Sequence, residues 1–117
     1  MEIELIQGGV YLTRLNPAKK GEIAKVGPAV VLTTDFFLPH VPVVFVCPLS
    51  SQSDVEVAAL HVELPARDRL LKTSYALVEH CRSISRHRMV PTRLATLTEQ
   101  ELHSILNRLY LMTELAD

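Results

Sequence analysis

Glu79 and His80 stand side by side, Ser50 follows a Pro-Leu step, and Arg14, Lys19, Lys20, Lys25 and Arg82 place cations along the chain. A carboxylate or an imidazole can move a proton, a hydroxyl can donate to an oxyanion, and a guanidinium or ammonium can hold a phosphate. These are the ingredients of acid–base chemistry on an anionic substrate. Each also has a plainer role. Ser50 fits a turn, and Glu79 fits a strand glutamate paired with a nearby arginine. If Tyr75 to Ile84 is one regular strand, Glu79 shares a face with Leu77 and Cys81, and His80 points the other way, toward a structural or interfacial role. His40, His61, His87 and His103 have no ligand spacing with Cys47 and Cys81, so neither a zinc site nor any cofactor is expected.

Charge is uneven along the 117 residues, although the formal net charge is only −1. Residues 67–93 carry Arg67, Arg69, Lys72, Arg82, Arg86, Arg88 and Arg93 against Asp68 and Glu79. Residues 98–117 carry Glu99, Glu101, Glu114 and Asp117 against Arg108. A basic segment beside an acidic tail suits a protein with one anion-facing surface. The length predicts one domain, 1–117, with one modest core. No apolar run approaches the ~20 residues of a membrane span, and the N-terminus lacks the pattern of a signal peptide. Two cysteines in apolar segments read as buried, reduced thiols, and the cytoplasm is the expected compartment.

The elements that must position these groups are short strands. Val10 to Leu15 alternates and ends at Asn16-Pro17. Ala18 to Lys25 is a polar loop. Ala29 to Leu32 and Val43 to Cys47 are continuously apolar and β-branched, as in strands buried on both faces. Val55 to Leu64 alternates, with an irregularity at Ala58-Ala59, and Tyr75 to Ile84 is a further strand. Pro65 to Lys72 is a turn or short helix. The last element is helical: Thr98 and Glu101 have capping-box spacing, and Leu102, Ile105, Leu106, Leu109, Tyr110 and Thr113 mark one face. Five or more strands and one terminal helix predict a small, mostly β barrel. Pattern alone leaves an SH3-like barrel, an OB-fold and a split sheet open.

Five segments in order carry a resemblance to a known family: GGVYLTRLNPAKKGEIAKVGPAVVLTT at 8–34, VPVVFVCPLSS at 41–51, SYALVEHCRSISRHRM at 74–89, RLATLTEQEL at 93–102, and the helix that follows. Together they resemble the PemK/MazF toxins, the ribonuclease members of bacterial type II toxin–antitoxin pairs. The resemblance implies an SH3-like barrel with a C-terminal helix packed on the sheet. It implies a homodimeric, metal-independent endoribonuclease that cuts single-stranded mRNA and is neutralised by a cognate antitoxin.

In that family the ribose 2′-hydroxyl attacks the adjacent phosphate. Carried onto this chain, the resemblance makes Ser50 and Glu79 catalytic and Lys25, Arg82, Arg14, Lys19 and Lys20 candidates for holding RNA. Gly27 stands where the family has a functional arginine, and Leu77 where some members have a second. The alternative implied by Gly27 is a weakened or inactive member that binds antitoxin or nucleic acid. A gyrase-poisoning relative of the same barrel fits less well, since the chain ends MTELAD without tryptophan.

Overall fold

The computed structural model describes residues 4–15 and 26–114. Seven strands, β1 (Gly9–Arg14), β2 (Val26–Val31), β3 (Val43–Ser50), β4 (His61–Leu64), β5 (Ser74–Leu77), β6 (Arg82–Ser85) and β7 (Met89–Thr96), are followed by helix α1 (Glu99–Thr113). They form one antiparallel sheet in the order β4-β5-β3-β2-β1-β7, with β6 also pairing β3. This agrees with the predicted mostly β architecture and its terminal helix.

Ala29 to Leu32 and Val44, Val46 and Cys47 are buried because the sheet carries an apolar layer on each side, whereas Val43, expected in the same buried run, is 44% exposed at the start of β3 and Phe45 is half-buried. Val30, Cys47, Leu49, Val62, Leu64, Ala76 and Val78 point into one core, which Ile105 of α1 completes from above. Tyr11, Ala29, Val31, Val44, Val46 and Ile84 point into a second core with Leu15 and Met89. Alternation along each strand sorts the residues between them.

Helix α1 starts as its sequence predicts. The Thr98 hydroxyl accepts from the Glu101 amide at 3.1 Å, and the Glu101 carboxylate accepts from the Thr98 amide at 2.9 Å. Ile105 is fully buried, while Leu102, Leu106 and Leu109 pack against the same core. Tyr110 departs from the expected face. It is 65% exposed, as its neighbours Leu111 and Met112 are at 63% and 41%.

Two strand expectations also fail, for one shared reason. Val55 to Leu64 is a 3-10 turn, Val55–Leu60, followed by only four residues of strand. Tyr75 to Ile84 is two short strands separated by a 3-10 turn, Val78–His80. In a small sheet, a strand that passes from one partner to another must break its ladder. Here β5 ladders with β4 and the end of β3, whereas β6 ladders with the start of β3. The basic stretch from Arg86 becomes a third 3-10 turn, Arg86–Arg88, and then β7.

Candidate functional site

The register of the sheet decides what the site contains. Ser50 ends β3 opposite Tyr75 of β5, and Tyr75 lies opposite Glu63 of β4; two residues along, Leu77 lies opposite His61. Ser50, Tyr75, Leu77, Glu63 and His61 therefore share the face opposite Leu49, Ala76 and Val62, which enter the core beneath the helix. On β2, Ala29 pairs with Pro48, Val30 with Cys47 and Val31 with Val46. The ladder ends at Ala29 and Pro48, with Gly27 and Ser50 each two residues beyond it, Gly27 opposite Thr13 of β1 and Ser50 opposite Tyr75 of β5.

Two 3-10 turns bring side chains over this face. Asp54 caps the first, its Oδ1 accepting from the Glu56 amide at 3.0 Å. That turn folds the chain back from the end of β3 to the start of β4, so that Ser53 meets His61. The Ser53 hydroxyl lies 2.6 Å from His61 Nδ1. The second turn is anchored by Val78, which is fully buried, and lifts Glu79 toward the same imidazole. Glu79 Oε1 and Oε2 lie 3.0 and 2.8 Å from His61 Nε2. A carboxylate there accepts the Nε2 proton, which leaves Nδ1 as the acceptor for the Ser53 hydroxyl. The result is a continuous chain, serine to histidine to glutamate.

This chain lines an open cavity of about 400 Å³, together with Ser50, Gln52, Asp54, Leu77 and His80. The volume is in the range of small-ligand sites. Ser50 accepts from the Gln52 amide at 3.1 Å, so it is a turn serine, yet its own proton remains to be donated into the cavity.

The two residues expected to be catalytic, Ser50 and Glu79, thus meet in one cavity. Leu77 lines it too, but the break after Leu77 separates Cys81 from the face it was expected to share with Glu79. Cys81 instead packs against the helix-covered core. His80 also departs from expectation. With residues 78–80 in a turn it does not face away: its Nε2 lies 3.9 Å from Glu79 Oε2, and its side chain is exposed at the cavity.

Of the expected RNA-holding residues, Arg14 is exposed at the end of β1 opposite Val26, and Arg82 pairs with Val46 on β6; neither lines the cavity. Lys19, Lys20 and Lys25 lie outside the described residues. Sequence reasoning weighs His61 only as a zinc ligand and passes over Ser53. The signals that could have found them are the capping pattern Ser53-Asp54 and a histidine alternating with core residues on β4.

Behind the site, across the sheet, sit Cys47 and Cys81, both free thiols. Cys47 is buried and Cys81 half-buried. A hydrogen bond with Cys81, and then burial, push the Cys47 thiol well above the ordinary thiol range. The same hydrogen bond lowers Cys81. Among the described residues no group of three or more His, Cys, Asp or Glu side chains is placed to hold a metal ion. No helix among them is long and apolar enough to cross a membrane.

Comparison with known proteins places this fold. The model of the family described as PemK-like, MazF-like toxin of type II toxin–antitoxin system matches residues 6–113. A MazE–MazF complex from Deinococcus radiodurans superposes with a TM-score of 0.77 at 20% identity, covering 96% of each chain. An endoribonuclease in complex with its cognate antitoxin, from a mycobacterial species, gives 0.74 at 16% identity, covering 97% of this chain and 100% of that one. A Mycobacterium tuberculosis MazF toxin gives 0.70 at 16% identity, covering 88% and 93%. No curated protein sequence matches the chain.

Proposed function

The chain belongs to the PemK-like, MazF-like family of type II toxin–antitoxin toxins, and from that premise we propose that it is an endoribonuclease that cuts single-stranded mRNA without a metal. The observation that carries this reading is the convergence of Ser50 with the hydrogen-bonded Ser53, His61 and Glu79 in one cavity at the end of β3. Transfer of a phosphate from the 5′-oxygen to the ribose 2′-oxygen needs a group to take the 2′-proton. It also needs donors for the phosphorane oxygens, and a strand held for in-line attack. The cavity offers hydroxyl donors and a proton acceptor. It opens at the sheet surface, where an unpaired strand can enter.

A second reading has one observation in its favour. Among the described residues that line the cavity there is no arginine or lysine, and Gly27 offers no side chain to the phosphate. A member of the family that binds antitoxin or nucleic acid and cuts RNA slowly fits that lining. The test is incubation of the purified protein with a long single-stranded RNA, followed by end-group analysis. Fragments ending in a cyclic phosphate and beginning with a 5′-hydroxyl, formed equally in EDTA and slowed at least tenfold by Ser50→Ala, support the ribonuclease. An inert protein that still binds its antitoxin tightly supports the second reading.

The partners follow from the same premise. A cognate antitoxin should dock through an acidic or amphipathic segment, because Arg82 to Arg93 is strongly basic; charge complementarity makes its association rate fall with salt. A homodimer would cover the exposed Tyr110, Leu111 and Met112 at the end of α1. Sedimentation at micromolar concentration reads this directly, a monomer counting against it. Free thiols and an mRNA substrate both suit the cytoplasm.

A further inference from the structure

We propose that Ser53, working through His61, is the group that takes the proton of the ribose 2′-hydroxyl, and that Glu79 acts on His61 rather than on the RNA. The proposal rests on the ribonuclease reading above.

The His61 side chain borders the cavity but is only 2% exposed, so it has almost no free surface to offer a substrate directly. Yet both of its ring nitrogens are engaged, on opposite sides, by groups that do reach the cavity. Nε2 faces both oxygens of Glu79, and Nδ1 faces the Ser53 hydroxyl at 2.6 Å. A glutamate acting directly as base would have a carboxylate oxygen aimed at the ribose. Here both oxygens converge on one N–H, and the side chain is itself only 22% exposed. The other carboxylate at the cavity, Asp54, is committed through Oδ1 to its own turn. Ser53 is half-buried, and its proton is directed inward at an imidazole lone pair. Its own lone pairs are therefore the ones left to face the cavity. Ser50 differs, because its oxygen accepts from a backbone amide and its proton is the part left to donate. Two serines three residues apart thus take opposite roles: Ser50 donates to the phosphate, and Ser53 accepts from the ribose.

The step balances as follows. The 2′-hydroxyl proton passes to the Ser53 oxygen as the Ser53 proton passes to His61 Nδ1. The 2′-oxygen forms its bond to phosphorus, and the bond from phosphorus to the 5′-oxygen breaks. The 5′-oxygen takes a proton from a solvent water, and the proton on His61 returns through Ser53 to restore that water. Meanwhile the imidazolium is stabilised by the Glu79 carboxylate. Glu79 and His61 are positioning residues, and Ser53 is the catalytic one.

The test combines kinetics with ring-nitrogen NMR. In the parent protein His61 should carry its proton on Nε2. Glu79→Gln offers an amide N–H to Nε2, which should move the proton to Nδ1 and leave Ser53 without an acceptor. Its kcat should fall by up to ~10⁴, the loss seen when a triad histidine is held in the wrong tautomer. Ser53→Ala and His61→Gln should lower kcat by ~10²–10⁴ with KM within about twofold of the parent. Ser53→Ala leaves the buried imidazole and its glutamate in place, so it reads the relay even if His61→Gln fails to fold. A parent that cuts RNA while Ser53→Ala keeps the parental kcat overturns this proposal and leaves the ribonuclease reading standing. So does a Glu79→Gln protein whose His61 proton stays on Nε2. A parent that cuts no RNA overturns both.

Discussion

Placing arginine at Gly27 tests whether a missing cation limits this site. Gly27 lies within β2, opposite Thr13 of β1, and its backbone is not in the left-handed region that reserves a position for glycine. A Cβ built there meets only Leu15 Cδ1, at 3.8 Å, an ordinary van der Waals contact. Gly27 lies two residues before Ala29, the last β2 residue paired with β3, on the side of the sheet where Ser50 ends β3, so the prediction supposes that a guanidinium on a long extended side chain there is directed toward the cavity.

If the new group donates to the phosphorane, Gly27→Arg should raise cleavage by ~10²–10³, the contribution of one preformed transition-state donor. Gly27→Lys should gain less, since an ammonium lacks the planar fork. Stability should hold or rise. Removing a glycine from a strand it does not need restricts the unfolded chain, worth about 0.4–1 kcal/mol, and Gly27→Ala isolates that effect. The assay is initial rate on single-stranded RNA with Tm measured on the same samples. A Tm lowered by more than about 5 °C in Gly27→Ala would refute the backbone argument. A Gly27→Arg protein as stable as the parent and no more active would refute the missing-donor argument. It would also move the weight toward a protein that binds RNA or antitoxin without cutting.

Other consequences are independent of catalysis. The capping-box glutamate, Glu101, also forms a two-pronged ion pair with Arg67, which ties the loop before β5 to the start of α1. The Arg67 guanidinium hydrogen-bonded to it holds the Glu101 carboxyl below the ordinary glutamate value. The resulting stabilisation, about 1–2 kcal/mol, is therefore full at neutral pH and is lost as pH falls through the depressed value. Denaturant midpoints measured across the acid range should show that loss in the parent and a flatter profile in Arg67→Gln. Ile105→Ala removes the one fully buried side chain of α1 and should cost about 2–5 kcal/mol in chemical denaturation. Under limiting iodoacetamide, mass spectrometry should find Cys81 alkylated well before Cys47, because Cys81 is half-buried with a lowered thiol whereas the Cys47 thiol is buried and raised. Equal rates would contradict the hydrogen bond between them.

The parts of this molecule that sequence made legible are those where one pattern has one solution. Ala29 to Val31 can be little other than a strand buried on both faces, and Thr98 with Glu101 can do little better than cap a helix. Where a pattern has two solutions, the site hides. The apolar spacing at Val55, Val57, Leu60, Val62 and Leu64 suits a long strand. A 3-10 turn followed by a short strand satisfies it equally well, at the cost of leaving Val55 89% exposed. That choice decides the chemistry. In a continuous strand Ser53 and His61 would lie eight residues apart along an extended chain, some 25 Å by the usual strand rise. The turn Val55–Leu60 instead closes them to hydrogen-bonding distance. The same holds on the other side of the imidazole, where a regular strand would give Glu79 the face of Cys81, but the turn Val78–His80 gives it to His61. The residues that periodicity cannot assign are therefore the ones the cavity is built from. The family resemblance proposes Glu79 as a site residue, but its partner is not legible in the sequence, because the histidine its carboxylate meets lies eighteen residues away and only the two turns bring it there.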